Sequence, residues 1–363
     1  MKVLHVTASA AHGGGGEHLW LLLRHLDRHG VESLVAAPRD EPYWRRYADC
    51  VGGERMLEIP HRSFRPGALL RLTAFAKIRG ADLLHSHGKG AGLYARLTGL
   101  LAGIPCAHTY HGIHRGRMSV SAWRLYCLLE RALGQATRAA VAVSAGEQGE
   151  ILDLGFCPAQ RLRLIPNGVL CPQDISAVPA EARRDIVHVT RFDPAQKNSG
   201  ALVPVALELQ RAGRLGRFRF MVLGEGPGRA PLEAEIRRLG MEEHFLFAGA
   251  VDSIRPRLKA AFCCLSTSRW EGLPLFLLEA MSEGVPVVAS RVVGNSDAVA
   301  HGAAGLLYTL DDHAAAAAQI LRLADEPGLW QSLADAARRR ACAEFNAEAM
   351  AARTAALYRA CLA

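Results

Sequence analysis

The sequence predicts two doubly wound α/β domains on parallel sheets, and three observations carry that prediction. The chain has 363 residues, about twice the length of a typical domain. Short apolar runs alternate with longer helical patterns throughout, and the rhythm pauses once, at 171–184, before it restarts. The runs are continuously apolar, as strands covered on both faces of a parallel sheet are.

The first series of runs is "VLHVTA" (3–8), "SLVAAP" (33–38), "DLLHSH" (82–87), "CAHTYH" (106–111), "AAVAVS" (139–144) and "LRLIPNG" (162–168). The second is "DIVHVT" (185–190), "FRFMVLG" (218–224), "HFLFAG" (244–249), "FCCLST" (262–267), "VPVVAS" (285–290) and "AGLLYT" (304–309). Two series imply two domains, drawn at 1–170 and 171–344. The Ala-rich tail from 311 to 363 is helical in pattern, and its last helix, about 345–363, is expected to pack back on the first domain. Ligands of such sheets bind beyond the carboxyl ends of the strands, so the active site is expected in a cleft that the two sheets face.

Composition narrows the class. Half of the residues are hydrophobic and about a fifth are charged, which excludes a disordered tail or a fibre. The opening "MKVLHVTASA" is too weakly apolar for a secretory leader, and no run approaches the roughly 18 to 20 apolar residues of a membrane span, so a cytoplasmic protein is expected. Nine cysteines, at 50, 106, 127, 157, 171, 263, 264, 342 and 361, form no C-x-x-C pair. Free thiols are expected, with neither a disulfide framework nor a zinc site. Residues 1–180 hold 21 Lys/Arg against 14 Asp/Glu, or +7, while 181–363 hold 22 against 21, or +1. A basic half points to an anionic partner such as a bilayer surface; a compositional preference for Arg is the alternative. No basic stretch is interleaved with aromatic residues as nucleic-acid binding requires, so no nucleic acid is expected.

Several strand ends carry polar chemistry. In "AHGGGGEHLW" (11–20), Gly14, Gly15 and Gly16 lead from a strand into a helix, where backbone N–H groups approach an anion. The dinucleotide fingerprint fails there, because His18 stands where its third Gly or Ala belongs. "VTRFDPAQKN" (189–198) places Arg191 and Lys197 after a strand, suited to neutralising a diphosphate. Gly224 and Gly226 in "LGEGPGR" (223–229) form a similar turn, with a plain tight turn as the alternative. His111 follows the strand in "HTYHGIH" (108–114), and His85 and His87 also end a strand. No cluster has metal-ligand spacing in sequence, and no G-x-S-x-G elbow supports a hydrolase.

The stretch "EGLPLFLLE" (271–279) is apolar or Gly except for a carboxylate at each end. Pro274 suits the first position of a helix, and Gly284 and Pro286 end it. Glu271 then precedes a helix apolar nearly all round, and Glu279 lies within it. A buried carboxylate is costly unless something bonds to it.

Extended to "EGLPLFLLEAMSEGVPVVAS" (271–290), this segment resembles the retaining family-4 glycosyltransferases of the GT-B fold, and the early segments "HSHGKGAGLYARLTGL" (85–100) and "HTYHGIH" resemble those of bacterial exopolysaccharide and lipopolysaccharide type. The likeness lies in two glutamates separated by seven residues and a following Gly-x-Pro-x-Val. It continues through "VTRFDPAQKN", "VLGEGPGR", "FLFAGAV", "IPNGV", "VAVS" and the N-terminal glycine turn. The resemblance implies that Glu271 meets the hydroxyls of a donor sugar and that Glu279 accepts from the ribose. The backbone over Gly272, Leu273, Leu275 and Phe276 would meet sugar and phosphate oxygens. Arg191 and Lys197 would stabilise the departing diphosphate without a metal, so neither metal nor cofactor is expected. His111 would stand near the donor sugar, Gly14 to Gly16 by the phosphates, Gly224 and Gly226 beside the donor, and Gly249 and Val251 along the base. One departure is "VVGNSDAV" (292–299), where the family often has Gly-Gly-x-x-Glu.

The implied reaction is transfer of a sugar from a nucleoside diphosphate donor, a UDP-sugar by analogy, to a hydroxyl of a lipid-linked glycan or oligosaccharide. A sugar-nucleotide epimerase and a non-catalytic nucleotide-binding scaffold are the alternatives. Segments 61–80 and 114–133 mix Arg and Lys with Leu, Phe and Trp123, as a peripheral contact with the inner face of the cell membrane would; helices packed on the sheet are the alternative. Arg62, Arg65, Arg115 and Arg117 are the charges such a contact would use.

Overall fold

The computed structural model describes residues 1–116, 118–174 and 178–363, so Arg117 lies outside the described residues. The chain divides into two compact units, Met1–Gly168 with Ala347–Ala363, and Val169–Asn346.

The first unit holds a parallel seven-stranded sheet of β1 (Lys2–Thr7), β2 (Glu32–Ala37), β3 (Met56–Glu58), β4 (Leu83–His87), β5 (Cys106–Thr109), β6 (Ala139–Ala142) and β7 (Leu162–Leu164), in the order β3-β2-β1-β4-β5-β6-β7. The second holds a parallel six-stranded sheet of β8 (Asp185–Val189), β9 (Arg219–Leu223), β10 (Phe245–Gly249), β11 (Cys263–Ser266), β12 (Val287–Ser290) and β13 (Leu306–Tyr308), in the order β10-β9-β8-β11-β12-β13. Both are doubly wound, and every apolar run of the sequence forms a strand. The one strand without an apolar run to announce it is β3, an edge strand of three residues, none of them buried.

Local chemistry sets the helices. Ser144 caps Ala145–Asp153 by accepting from the Glu147 amide at 3.1 Å, and Asp312 caps His313–Asp325 by accepting from the Ala315 amide at 2.9 Å. Pro66 opens the helix Pro66–Arg79, and Gly80 ends it in the left-handed conformation.

Each sheet is covered by its helices. In the second unit Phe218, Phe220 and Phe262 are fully buried, and Trp330 donates its Nε1 hydrogen to the Phe262 carbonyl at 2.6 Å. Each such ring contributes about 1.5–3 kcal/mol relative to exposure. In the first unit Leu4, Leu34, Leu72, Leu84 and Tyr94 pack in one cluster, and Arg96 pairs with Glu130 at 2.7 Å out of solvent. The helix Ala347–Leu362 packs within this unit, where the Tyr358 hydroxyl lies 2.5 Å from His85 Nδ1.

One expectation is corrected. Cys171 and Cys342 form a disulfide, with Cα atoms 5.6 Å apart, where free thiols are expected from the sequence. The two are 171 residues apart, and no spacing rule links such positions. Among the described residues no helix is long and apolar enough to cross a membrane.

Candidate active site

In both sheets the strand order reverses beside the first strand, between β1 and β4 and between β8 and β11. Such a switch point leaves a crevice beyond the carboxyl ends of the two strands. In the second unit the loops leaving it are "TRFDPAQKN" after β8 and "TSRWEG" after β11. These loops carry Arg191, Lys197 and Glu271.

The loops are fastened to each other. Thr267 Oγ1 donates to the Lys197 carbonyl at 2.9 Å, and the Arg269 amide donates to the Gln196 carbonyl at 2.8 Å. His188, at the end of β8, lies 3.1 Å from Ser199 Oγ and 2.9 Å from the Leu265 carbonyl; burial lowers its pKa to about 4, so it holds the loop as a neutral ring. Phe192 and Asn198, beside Arg191 and Lys197, have positive φ angles of 47° and 49°. Residues seldom adopt that conformation without surroundings that enforce it, and such positions gather at functional sites.

Within this frame Lys197 Nζ donates to Glu271 Oε1 at 2.6 Å, and Ser268 Oγ donates to the same oxygen at 2.7 Å. Gln196 Nε2 approaches Glu271 Oε2 at 3.5 Å and Arg191 donates to Gln196 Oε1 at 2.9 Å. The buried carboxylate is thus answered by a cation, a hydroxyl and an amide. Gln196 and Ser268 are partners that sequence reasoning missed, and their side chains carried no signal apart from sitting in loops already singled out.

The helix begins at Leu275, one residue after Pro274, which caps it with extended backbone. In the helix Leu275–Ser282 every residue is buried except Glu279. A helix otherwise sealed in the core therefore presents one half-buried carboxylate. Phe276 lies under the Lys197 ammonium, 5.1 Å from ring centroid to Nζ.

The glycines of the adjoining loops have a packing reason. A Cβ on Gly224 (φ 123°) would overlap the carbonyl of Thr190, and one on Gly226 (φ 153°) the carbonyl of Arg191. The turn after β9 thus lies against the loop bearing Arg191. In "VVGNSDAV" the single Gly294 (φ 81°) lies against Glu271 and Gly272, whose carbonyl oxygens a Cβ would meet at 2.8 and 2.6 Å. Asp297 accepts from the Gly294 amide at 3.0 Å, so the substituted acid still closes this loop. Gly249 ends β10 and Val251 lies just beyond it, at the same sheet end.

In the first unit Gly13 caps the helix Gly14–Leu26, so Gly14, Gly15 and Gly16 form its first turn. A Cβ on Gly16 would strike the Tyr43 ring at 2.5 Å, while Gly15 faces open space. His111 follows β5 with a φ of 62°. Its turn is locked by Glu147, fully buried, which accepts from the Gly112 amide and from the Val143 amide, the latter at 2.7 Å. Glu147 was missed, although Ser144-x-x-Glu147 is a capping signature in the sequence.

The fold also gathers histidines that no sequence spacing connects. His87 Nδ1 lies 3.5 Å from His111 Nε2, and His87 Nε2 lies 3.4 Å from His5 Nδ1. His18 meets the His111 ring edge-on at 4.4 Å between centroids. Burial, the largest cause, lowers the pKa of His5 to about 3, of His18 to about 4, and of His87 and His111 well below the ordinary histidine value. These rings are neutral near pH 7.

Residues 12–171 match the family model described as Glycosyltransferase Family 4, and residues 183–326 match the model described as Glycosyl transferases group 1. The D-inositol 3-phosphate glycosyltransferase of Acidothermus cellulolyticus is 28% identical over 88% of this chain and 80% of its own. The UDP-Gal:alpha-D-GlcNAc-diphosphoundecaprenol alpha-1,3-galactosyltransferase of Escherichia coli is 24% identical over 71% of this chain and 70% of its own. Among solved structures, Anabaena HepE in complex with UDP and glucose superposes with a TM-score of 0.84 over 99% of this chain and 100% of that one, at 18% identity. That last likeness is one of fold.

Proposed function

From the premise that this chain belongs to the family-4 glycosyltransferases, with the GT-B fold, we propose that it is a retaining enzyme that moves a sugar from a UDP-sugar to a hydroxyl of a lipid-linked glycan. The observation that carries the proposal is the pairing of Lys197 with Glu271 at the switch point of the second sheet, beside a helix whose one unburied residue is Glu279.

Each group has a task suited to its chemistry. Glu279, an acceptor of paired hydroxyl hydrogens, takes the ribose. Glu271 takes hydroxyls of the donor sugar and holds the Lys197 ammonium in place. Lys197 and Arg191 stabilise the charge that grows on the departing diphosphate, as fixed cations do best when little reorganisation is needed. The bond from the anomeric carbon to the phosphate oxygen breaks through an oxocarbenium-like state. The acceptor oxygen attacks from the same face, and its proton passes to the leaving phosphate. On the first unit, His111 serves the transferring sugar and Gly14 to Gly16 the phosphate and acceptor side.

The UDP donor is supported by HepE, solved with UDP and with UDP-glucose, and by the E. coli relative, whose name specifies UDP-Gal. The same relative's lipid diphosphate acceptor supports the acceptor class. Contact with the inner face of the membrane is supported by the helix Val120–Gln135, which exposes Leu125, Leu128 and Leu129 beside Arg124 and Arg131.

Incubation with UDP-sugars and a lipid-diphosphate sugar acceptor, followed by NMR of the product, tests the reading. An α-linked product from an α-configured donor is expected. A β-linked product contradicts retention, and an epimerised nucleotide sugar without transfer contradicts the transferase.

A further inference from the structure

We propose that His18, His87 and His111 form a binding site for a divalent transition-metal ion of the zinc class, with one coordination position left open. One imidazole nitrogen from each of the three lies within 4.8 Å of the other two. Nitrogens bound to one tetrahedral ion, each about 2.0–2.1 Å from it, stand about 3.3–3.4 Å apart. His87 Nδ1 and His111 Nε2 are 3.5 Å apart, close to that edge length. An ordinary N–H hydrogen bond is shorter, about 2.9–3.0 Å. The three ring centroids are separated by 4.4, 5.4 and 5.7 Å, and three imidazoles on one tetrahedral ion hold theirs roughly 5 Å apart.

The surroundings agree with this assignment. His18 Nδ1 is buried and finds no hydrogen-bond partner, an omission that costs about 1–3 kcal/mol unless a ligand answers it. The second nitrogen of His87 faces His5, whose own second nitrogen lies 3.4 Å from Ser33 Oγ. Such an outer chain fixes ring orientation in metal sites. His18 and His87 are buried while His111 is partly exposed, so the open position lies on the His111 side. A rival trio of His5, His85 and His87 is less suited, because both His85 nitrogens are engaged, by the Tyr358 hydroxyl at 2.5 Å and Thr109 Oγ1 at 2.8 Å.

Three neutral imidazoles without a carboxylate favour Zn²⁺, Co²⁺, Ni²⁺ or Cu²⁺ over Mg²⁺ and Ca²⁺, which demand oxygen ligands. The functional consequence rests on the role given above to His111. An ion there withdraws His111 from the sugar, so Zn²⁺ inhibits transfer.

The test is titration of untagged, chelator-treated full-length protein with Co²⁺, followed by visible absorption. One equivalent is expected to bind with the intense band of four-coordinate cobalt, to be displaced by Zn²⁺ and to resist Mg²⁺. His18→Gln and His111→Gln should each weaken binding by about 100-fold or more, with circular dichroism and thermal melts confirming their folds, while His61→Gln, at an exposed site, leaves it unchanged. Absence of a stoichiometric band, or binding indifferent to both substitutions, overturns the site. Failure of the metal-free protein to transfer any sugar would count against the transferase reading while leaving the cobalt spectrum intact. Stoichiometric Zn²⁺ that does not inhibit would keep the site and remove His111 from its sugar role.

Discussion

Replacing Lys197 by Ala is expected to lower turnover of the sugar nucleotide by about 10²- to 10³-fold, the usual effect of removing one preorganised group that stabilises transition-state charge. The same change strips the cation from Glu271, whose side chain is only 8% exposed. Breaking a buried pair costs about 3–5 kcal/mol when nothing else answers the remaining charge. Here Ser268 still donates to the carboxylate, so a loss of about 1–3 kcal/mol is expected in urea unfolding. The two effects separate. If turnover per folded molecule is unchanged and only stability falls, the pair is structural and the diphosphate is neutralised elsewhere.

Gly224→Ala should be strongly destabilising. Its φ of 123° disfavours any side chain, and the new methyl would overlap the Thr190 carbonyl, a rigid obstacle beside Arg191. A loss of about 4 kcal/mol or more is expected, which lowers the melting temperature of the second unit, Val169–Asn346, by roughly 10 °C. Gly216→Ala is the matched control, because its φ is unremarkable and nothing lies within 4 Å of the added carbon; it should change stability by less than about 1 kcal/mol. Equal melting temperatures for the two variants would show that the loop after β9 moves aside freely, and its glycines would then need another explanation.

The contrast between these positions shows what the sequence reveals and what it hides. Continuous apolar runs such as "DIVHVT" and "FCCLST" declare buried parallel strands, because a strand covered on both faces has no polar side to alternate with. Strand ends followed by Gly, Arg, Lys or His mark where ligand chemistry can sit, since the topology of such sheets puts ligands there. What stays hidden depends on contacts between distant segments. The edge strand Met56–Glu58 is too short and exposed to leave a pattern. The Cys171–Cys342 bridge joins positions 171 residues apart. His5 and His87 lie on β1 and β4, His111 follows β5 and His18 sits in the helix Gly14–Leu26, and only the pairing of β4 with β1 on one side and β5 on the other brings them together. Glu279 was legible as a polar residue in an apolar helix, while its being the one residue of that helix left unburied is a fact of packing.

The central claim is that the second unit holds a nucleoside diphosphate through Glu279, Lys197 and their neighbours. Calorimetric titration with UDP, GDP and ADP, on the unmodified protein and on Glu279→Ala, tests it most directly. Selective binding of UDP, weakened at least 10-fold by Glu279→Ala through loss of a charge-assisted hydrogen bond of about 1.5–3 kcal/mol, is the expected result. Binding of no nucleotide, or UDP affinity identical in both proteins, would contradict it.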